Sequence, residues 1–577
     1  MTKRGGQAAA GNTVLRVRAM PFSSRGSAML RLRYRAISRQ HSITRQRDSD
    51  TTGATTTHAK IRRADISAQS LSERPDRKAQ ISSARQETSS VLSEDTAQSS
   101  LKTDEDLIQS SSKTNEDGAN MSLSSLIAEY LDFTIPSYIT RDSASINVPK
   151  PARNNVIYTI TGVRRCGKTY AMYQLMDKLI ADGVPRDRLF HFSFDDERIM
   201  PFSDHTLSDL LDTYYRMVPQ AVDGCYLLFD EIQEAPYWTH FIRRVAEQHN
   251  VTILLTGSSS KLLSSDIPTN LRGRSLSREM WPLSFAEYCQ FHGISTQDVA
   301  GEYPAAVRRP LQNAFDDYLN VGGFPAVQTM TVLDRMRMLQ GYADEIVIKD
   351  VLERFGTASL RVATRFSRNA LRSTGLKFSV NAQIKTLRSM QVPVSGNKLY
   401  DLLDDFEDAH LLFKVGDFTF SIKDNPKASR KVYAVDPGLS LAVAPANHLD
   451  LGQRLETAVF VELKRRYGGN RSNAIASYSA SNCPEVDFVV GDDATGEPYQ
   501  LIQVAVETGI DATTVDDFGT AQLTDKFRSE IGNLSAAMAN TGMDHGTLIS
   551  INEEGTVTVT SGTIDVVPAW RWFLTKP

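Results

Sequence analysis

The stretch TGVRRCGKTY, Thr161 to Tyr170, decides how this chain is read. Gly162 is followed by four residues and then by Gly167, Lys168 and Thr169, the spacing of a loop that wraps phosphate groups. Glycines let the backbone approach closely and turn its N–H groups inward, and a helix opening near Lys168 adds its positive end. The loop from Gly162 through Val163, Arg164, Arg165, Cys166, Gly167, Lys168 and Thr169 to Tyr170 is therefore expected to hold ATP. Lys168 would reach the β and γ phosphates, and the Thr169 hydroxyl would coordinate Mg²⁺.

The flanks agree with this reading. NVIYTIT (155–161) is a β-branched run, and TYAMYQLMDKLIADG repeats Ala171, Leu175 and Leu179 at helical spacing before Gly183. RLFHFSF (188–194), CYLLF (225–229) and VTILLT (251–256) are short apolar runs between helical stretches. Such runs predict strands of a parallel sheet covered on both faces, hence an α/β P-loop NTPase core.

Two carboxylates follow the second of these runs, in CYLLFDE. At the C-terminal edge of a doubly wound sheet they face the phosphate loop, so Asp230 is expected to bind Mg²⁺ and Glu231 to polarise the attacking water. ILLTGSSS offers Ser258, and after it Thr256, to orient that water. NLRGRSLSRE carries Arg272, Arg274 and Arg278; Arg272 and Arg274 are candidates to stabilise charge on the transferred phosphoryl group, in this chain's site or a neighbour's.

The 577 residues are 41% hydrophobic and 23% charged, with a net charge of −3, enough for several domains. Residues 1 to about 125 lack apolar periodicity and are expected to be disordered. Their first 47 residues hold eleven Lys or Arg and no acid, which fits a transit peptide, a nucleic-acid-binding arm, or an extension ahead of a start at Met121. Four cysteines with no CxxC pair argue against a disulfide framework or a zinc site and suit the cytoplasm. No apolar run approaches the roughly 20 residues of a membrane-spanning helix.

In order along the chain stand TGVRRCGKT, LLFDEIQEAPYW, FIRRV, LLTGSSSKLL, LRGRS, PLSFAEY and VGGFPAVQ, then LLDDFEDAHLLFKV, VYAVDPGL, LETAVFVELKRR, EVDFVV and LIQVAVE. This set resembles the prokaryotic AAA-type ATPases related to the archaeal ATPase group, over roughly residues 125 to 507. The resemblance implies an AAA-type ATPase core over 126–290, a helical lid over 291–375, and a winged-helix-like segment over 376–445. It further implies a restriction-endonuclease-like domain over 446–577. By that resemblance Glu456 is the helix acid of a nuclease site, Asp487 the strand acid and Gln503 the third ligand, with Glu462 as an alternative to Glu456. The lysine position falls on Ala505, which can neither orient water nor carry charge, so nuclease activity is not expected.

Arg361, Arg365, Arg368 and Arg372 recur at spacings of four, three and four, one basic stripe on a helix. Such a stripe can follow a DNA backbone, or it can be a solvated face paired to acids. SGNKLYDLLDDFEDAH predicts a helix capped by Ser395, with Asp401, Asp404, Asp405, Glu407 and Asp408 outward. That face repels phosphate, which leaves the Asn397–Lys398 end for bases, or the whole segment for a protein partner. The expected function is an Mg-ATP hydrolase that couples nucleotide state to its C-terminal domains. The alternatives are an ATP-regulated DNA-binding or DNA-processing enzyme and a slow nucleotide-gated switch.

Overall fold

The structure, a computed structural model, describes residues 122–575 apart from 258–270, 272, 299–302, 354–358, 419–429, 445–449, 469–472, 493–494 and 507–524. The disorder expected up to about residue 125 falls almost wholly outside the described residues. At its end the chain forms α1 (Leu123–Asp132), where Ser122 Oγ accepts from Ser125 N.

Five strands follow: β1 (Ile157–Thr161), β2 (Leu189–Ser193), β3 (Cys225–Asp230), β4 (Val251–Thr256) and β5 (Ser275–Glu279). They form one sheet in the order β2-β3-β4-β1-β5, every pairing parallel. Three helices connect them: α2 (Lys168–Ala181), α3 (Thr206–Met217) and α4 (Trp238–Gln248). Side chains alternate along the strands, and both faces are covered. Leu227 and Phe229 join Phe192, Ile253 and Leu255 in one core, while Leu228, Leu254 and Ile160 pack with Met172 in another. This is the α/β fold of a P-loop NTPase.

A helical region comes next: α5 (Phe285–Phe291), α6 (Ala305–Val321), α7 (Val332–Glu345) and α8 (Leu360–Arg372). Beyond Glu345, α7 runs on as a π-helical stretch, Ile346–Leu352. Then β6 (Leu376–Phe378), α9 (Val380–Ser389), α10 (Gly396–Asp408), β7 (Leu412–Val415) and β8 (Arg430–Ala434) build a small antiparallel sheet ordered β6-β8-β7. Ser395 is the N-cap of α10, as expected, though its side chain makes no bond there. One expectation for α10 needs correction: Asp405 is buried rather than outward. The outer acids are also partly neutralised, because Lys414 pairs with Asp404 and, at 2.9 Å, with Glu407.

After α11 (Pro437–Val443) and α12 (Leu451–Tyr467) the chain forms six strands: β9 (Asn473–Ala480), β10 (Cys483–Asp492), β11 (Pro498–Ala505), β12 (His545–Ser550), β13 (Gly555–Val559) and β14 (Gly562–Pro568). Their order is β13-β14-β12-β11-β10-β9, parallel at β11–β12 and β12–β14 and antiparallel elsewhere. Helix α13 (Asp525–Thr541) covers one face, and α14 (Ala569–Trp572) follows β14. α12 ties this sheet to the NTPase core: Arg465 donates through Nη2 to the carbonyls of Pro282 and Leu283, 3.0 Å each. Among the described residues no helix is long and apolar enough to cross a membrane.

Candidate active site and a buried acidic cluster

The phosphate loop leaves β1 through a turn that only glycine can make. Gly162 has φ +143°, and a Cβ there would lie 2.0 Å from the Met280 carbonyl oxygen. Arg165 and Gly167, at φ 68° and 105°, hold further left-handed positions, the backbone pattern that turns successive N–H groups inward. No side chain caps the first turn of α2, so its free N–H groups and positive end serve the loop. Lys168 Nζ rests on the loop's own carbonyls, 3.1 Å from Gly162 O and 3.3 Å from Val163 O.

Beneath the loop lies a residue that the sequence reading missed. Arg141 is buried and donates to Cys166 O at 2.8 Å, to Trp281 O at 2.9 Å and to Glu287 Oε2 at 2.8 Å. It sits in an irregular segment, where periodicity gives no signal. Burial raises the Glu287 carboxyl, but the Arg141 charge and bonds from Arg141, Ser143 and Ser284 N outweigh it and bring it down to about 2.

The two acids stand where the strand reading put them. Thr169 Oγ1 donates to Asp230 Oδ2 at 2.6 Å, and Thr256 Oγ1 donates to Asp230 Oδ1. A hydroxyl and a carboxylate side by side at a helix N-terminus are hard oxygen donors, and they fit Mg²⁺. Glu231 follows in a left-handed conformation, φ 49°, with its N–H 3.4 Å from Thr256 Oγ1 and its carboxylate accepting from Gln233 Nε2. Burial pushes the Glu231 carboxyl up; Lys168 opposes this, and the charge of Asp230 reinforces it. Thr256 thus stands beside both acids, whereas Ser258 and Arg272 lie outside the described residues.

Arg274 is displaced from this chain's own site. It donates to Asn154 Oδ1 at 3.0 Å just before Ser275, which pairs with the first residue of β1, while the loop follows the last. At about 3.3 Å per strand residue that is on the order of 13 Å along the sheet. Arg278, nearer the loop end of β5, donates to Ser145 O at 2.5 Å.

The loop's two arginines reach into the helical region instead. Arg164 donates through Nε and Nη2 to the two oxygens of Asp350, at 3.0 and 2.9 Å. Asp350 is 2% exposed and lies in the π-helical stretch. Arg165 pairs with Glu345 at 2.5 Å, its guanidinium 4.7 Å from the Tyr342 ring centroid. Acids some 180 positions from the loop have no local signature in the sequence.

In the C-terminal sheet, Glu456 and Asp487 meet, and Gln503 joins them by accepting from Asp487 N at 3.2 Å. Glu462 points elsewhere, to Arg465 and Arg466 at 2.9 Å each, so it is not the helix acid of this cluster. Ala505 packs in the apolar core of the sheet. A lysine is nonetheless present: Lys431 of β8 places Nζ 2.7 Å from Glu456 Oε1, 2.7 Å from Glu485 Oε1 and 2.9 Å from Asp487 Oδ1. An ammonium already gripped by three carboxylates leaves no fit for a divalent ion. Among the described residues no group of three or more His, Cys, Asp or Glu is arranged to hold a metal.

On α8 the four arginines are exposed along one face, as the spacing predicts. Arg368 pairs with Asp344 at 2.9 Å, and Arg372 donates to Val443 O.

The AAA domain model matches residues 154–289, and a domain of unknown function (DUF8612) matches residues 312–450. An uncharacterized protein of Methanocaldococcus jannaschii is 30% identical over 431 residues, covering 73% of this chain and 89% of that protein. An uncharacterized protein of Haemophilus influenzae is 27% identical over 355 residues, covering 61% of this chain and 82% of that protein. A Walker-type ATPase of Pyrococcus abyssi overlays with a TM-score of 0.31 at 14% identity, over 50% of this chain and 91% of that one. With a matching domain model on its phosphate loop and acid pair, and a relative covered almost end to end, the chain belongs to the family of AAA-type P-loop ATPases that carry a domain of unknown function behind the AAA domain.

Proposed function

We propose that the chain binds ATP with Mg²⁺ at this loop, hydrolyses it, and passes the state of the loop to the helical region and the domains beyond. Residues Gly162 to Tyr170 wrap the phosphates, and Lys168 exchanges its carbonyl partners for β and γ phosphate oxygens. Thr169 and Asp230 hold Mg²⁺, which when bound offsets phosphate charge. Glu231, beside Asp230 at the end of β3 and in line with Thr256, takes the proton of the attacking water. Thr256, with Ser258 after it, orients that water. Arg274 acts in a neighbouring chain, and Arg272 acts in this chain's site or a neighbour's.

One observation carries the coupling: the loop's own Arg164 is held bidentately by a buried acid of the π-helical stretch. A triphosphate in the loop competes for that guanidinium and for Arg165, so the two acids hold the loop in one nucleotide state and release it in another. Hydrogen exchange over residues 346–352 tests this. ATP should change it in the wild type and leave it unchanged in Lys168→Ala, which should also lose nucleotide binding. An unchanged wild type sinks the coupling, and retained binding in Lys168→Ala sinks the site.

A second reading is duplex DNA as the partner. Arg361 and Arg365 are exposed and have no ion pair among the described residues, so they favour a phosphate backbone. The succession β6-α9-α10-β7-β8 supports a winged-helix-like segment, and its acidic α10 suits a protein partner better than DNA. The six-stranded sheet supports a restriction-endonuclease-like domain, and Ala505 at its lysine position argues against nuclease activity there. Four buried free cysteines suit the cytoplasm.

A further inference from the structure

We propose that Lys431 is the resident cation of the Glu456–Glu485–Asp487 cluster, and that its ammonium turns a nuclease-type acid site into a lock between the small antiparallel sheet and the C-terminal sheet. The lysine comes from β8, while its partners come from α12 and β10, so the cluster joins separate parts of the chain. Lys431 is itself buried. A buried ammonium persists only when its donors are satisfied, and here three carboxylates lie within 2.9 Å of it.

Two further donors reach the cluster. Tyr433 OH donates to Glu456 Oε1 at 2.6 Å, and Val504 N donates to Asp487 Oδ2 at 2.9 Å. Gln503, the third ligand by resemblance, spends its amide on Glu530 Oε2 at 2.8 Å. A divalent ion needs about six oxygen ligands and would have to share its place with a fixed positive charge. The usual lysine position cannot compete, because Ala505 faces an apolar core.

Manganese titration followed by electron paramagnetic resonance, on the nucleotide-free full chain, tests the lock. Wild type and Asp487→Asn should bind the same number of Mn²⁺ ions, since the pocket holds none. Lys431→Met should gain one Mn²⁺ per chain, and Lys431→Met/Asp487→Asn should lose that gain. If Lys431→Met does not fold, the comparison of wild type with Asp487→Asn decides alone. A wild-type Mn²⁺ site that disappears in Asp487→Asn overturns the proposal, as does a folded Lys431→Met that gains no site.

Discussion

Removing the Arg164 side chain should loosen the π-helical stretch Ile346–Leu352 locally, by an amount the geometry sets. Arg164→Ala leaves Asp350 as a buried carboxylate without its bidentate partner, and such losses cost about 3–5 kcal/mol. The Arg164 side chain is 22% exposed, so water can reach part of the vacated space and the low end, about 3 kcal/mol, applies. At about 1.4 kcal/mol per tenfold, amides of residues 346–352 should exchange on the order of a hundredfold faster. Hydrogen exchange read by mass spectrometry resolves that segment without requiring the whole chain to unfold in one step. Arg164→Ala/Asp350→Leu removes both charges and should recover most of the protection, because no ion is left stranded. Exchange in Arg164→Ala within about threefold of wild type, or a double variant no better than the single one, would refute the account of this pair.

Other consequences are equally direct. Gly162→Ala drives a Cβ into the Met280 carbonyl at a φ that alanine avoids; the chain should lose nucleotide binding and several degrees of thermal midpoint, whereas wild-type values for both would contradict the loop geometry. Glu287 has its folded pKa lowered to about 2, so its stabilisation is full above pH 4.5 and is lost as pH falls from there towards 2, up to about 3 kcal/mol. Glu287→Gln should therefore flatten the fall of the thermal midpoint between pH 5 and 3, and an unaltered slope removes Glu287 from that role. Charge reversal of both Arg361 and Arg365 to Glu should weaken salt-dependent DNA binding at least tenfold if α8 tracks a phosphate backbone; equal binding would leave the stripe a solvated face.

How much of this was legible in the sequence depended on where each residue's partners lie. Strands β1 to β4 are almost wholly buried, so they read as short apolar or β-branched runs, and the loop and acid pair are fixed to their ends. β5 was missed because SLSRE is mostly exposed and polar; it is a strand by backbone pairing to β1, which no side-chain pattern announces. The arginine stripe followed from helical spacing alone. The same reasoning put Asp405 outward, but it is buried, since the 100° step per residue does not say how far neighbouring elements wrap around α10. Arg141, Asp350 and Lys431 all act through contacts distant in sequence. The resemblance puts the lysine position on Ala505, beside Gln503, whereas the lysine in contact with Glu456 and Asp487 is Lys431 of β8.

Steady-state ATP hydrolysis by the full chain, wild type beside Glu231→Gln, tests the central claim most directly. The account predicts Mg²⁺-dependent turnover in the wild type, and in Glu231→Gln a loss of about a hundredfold or more with ATP still bound. Turnover in Glu231→Gln equal to wild type would contradict it.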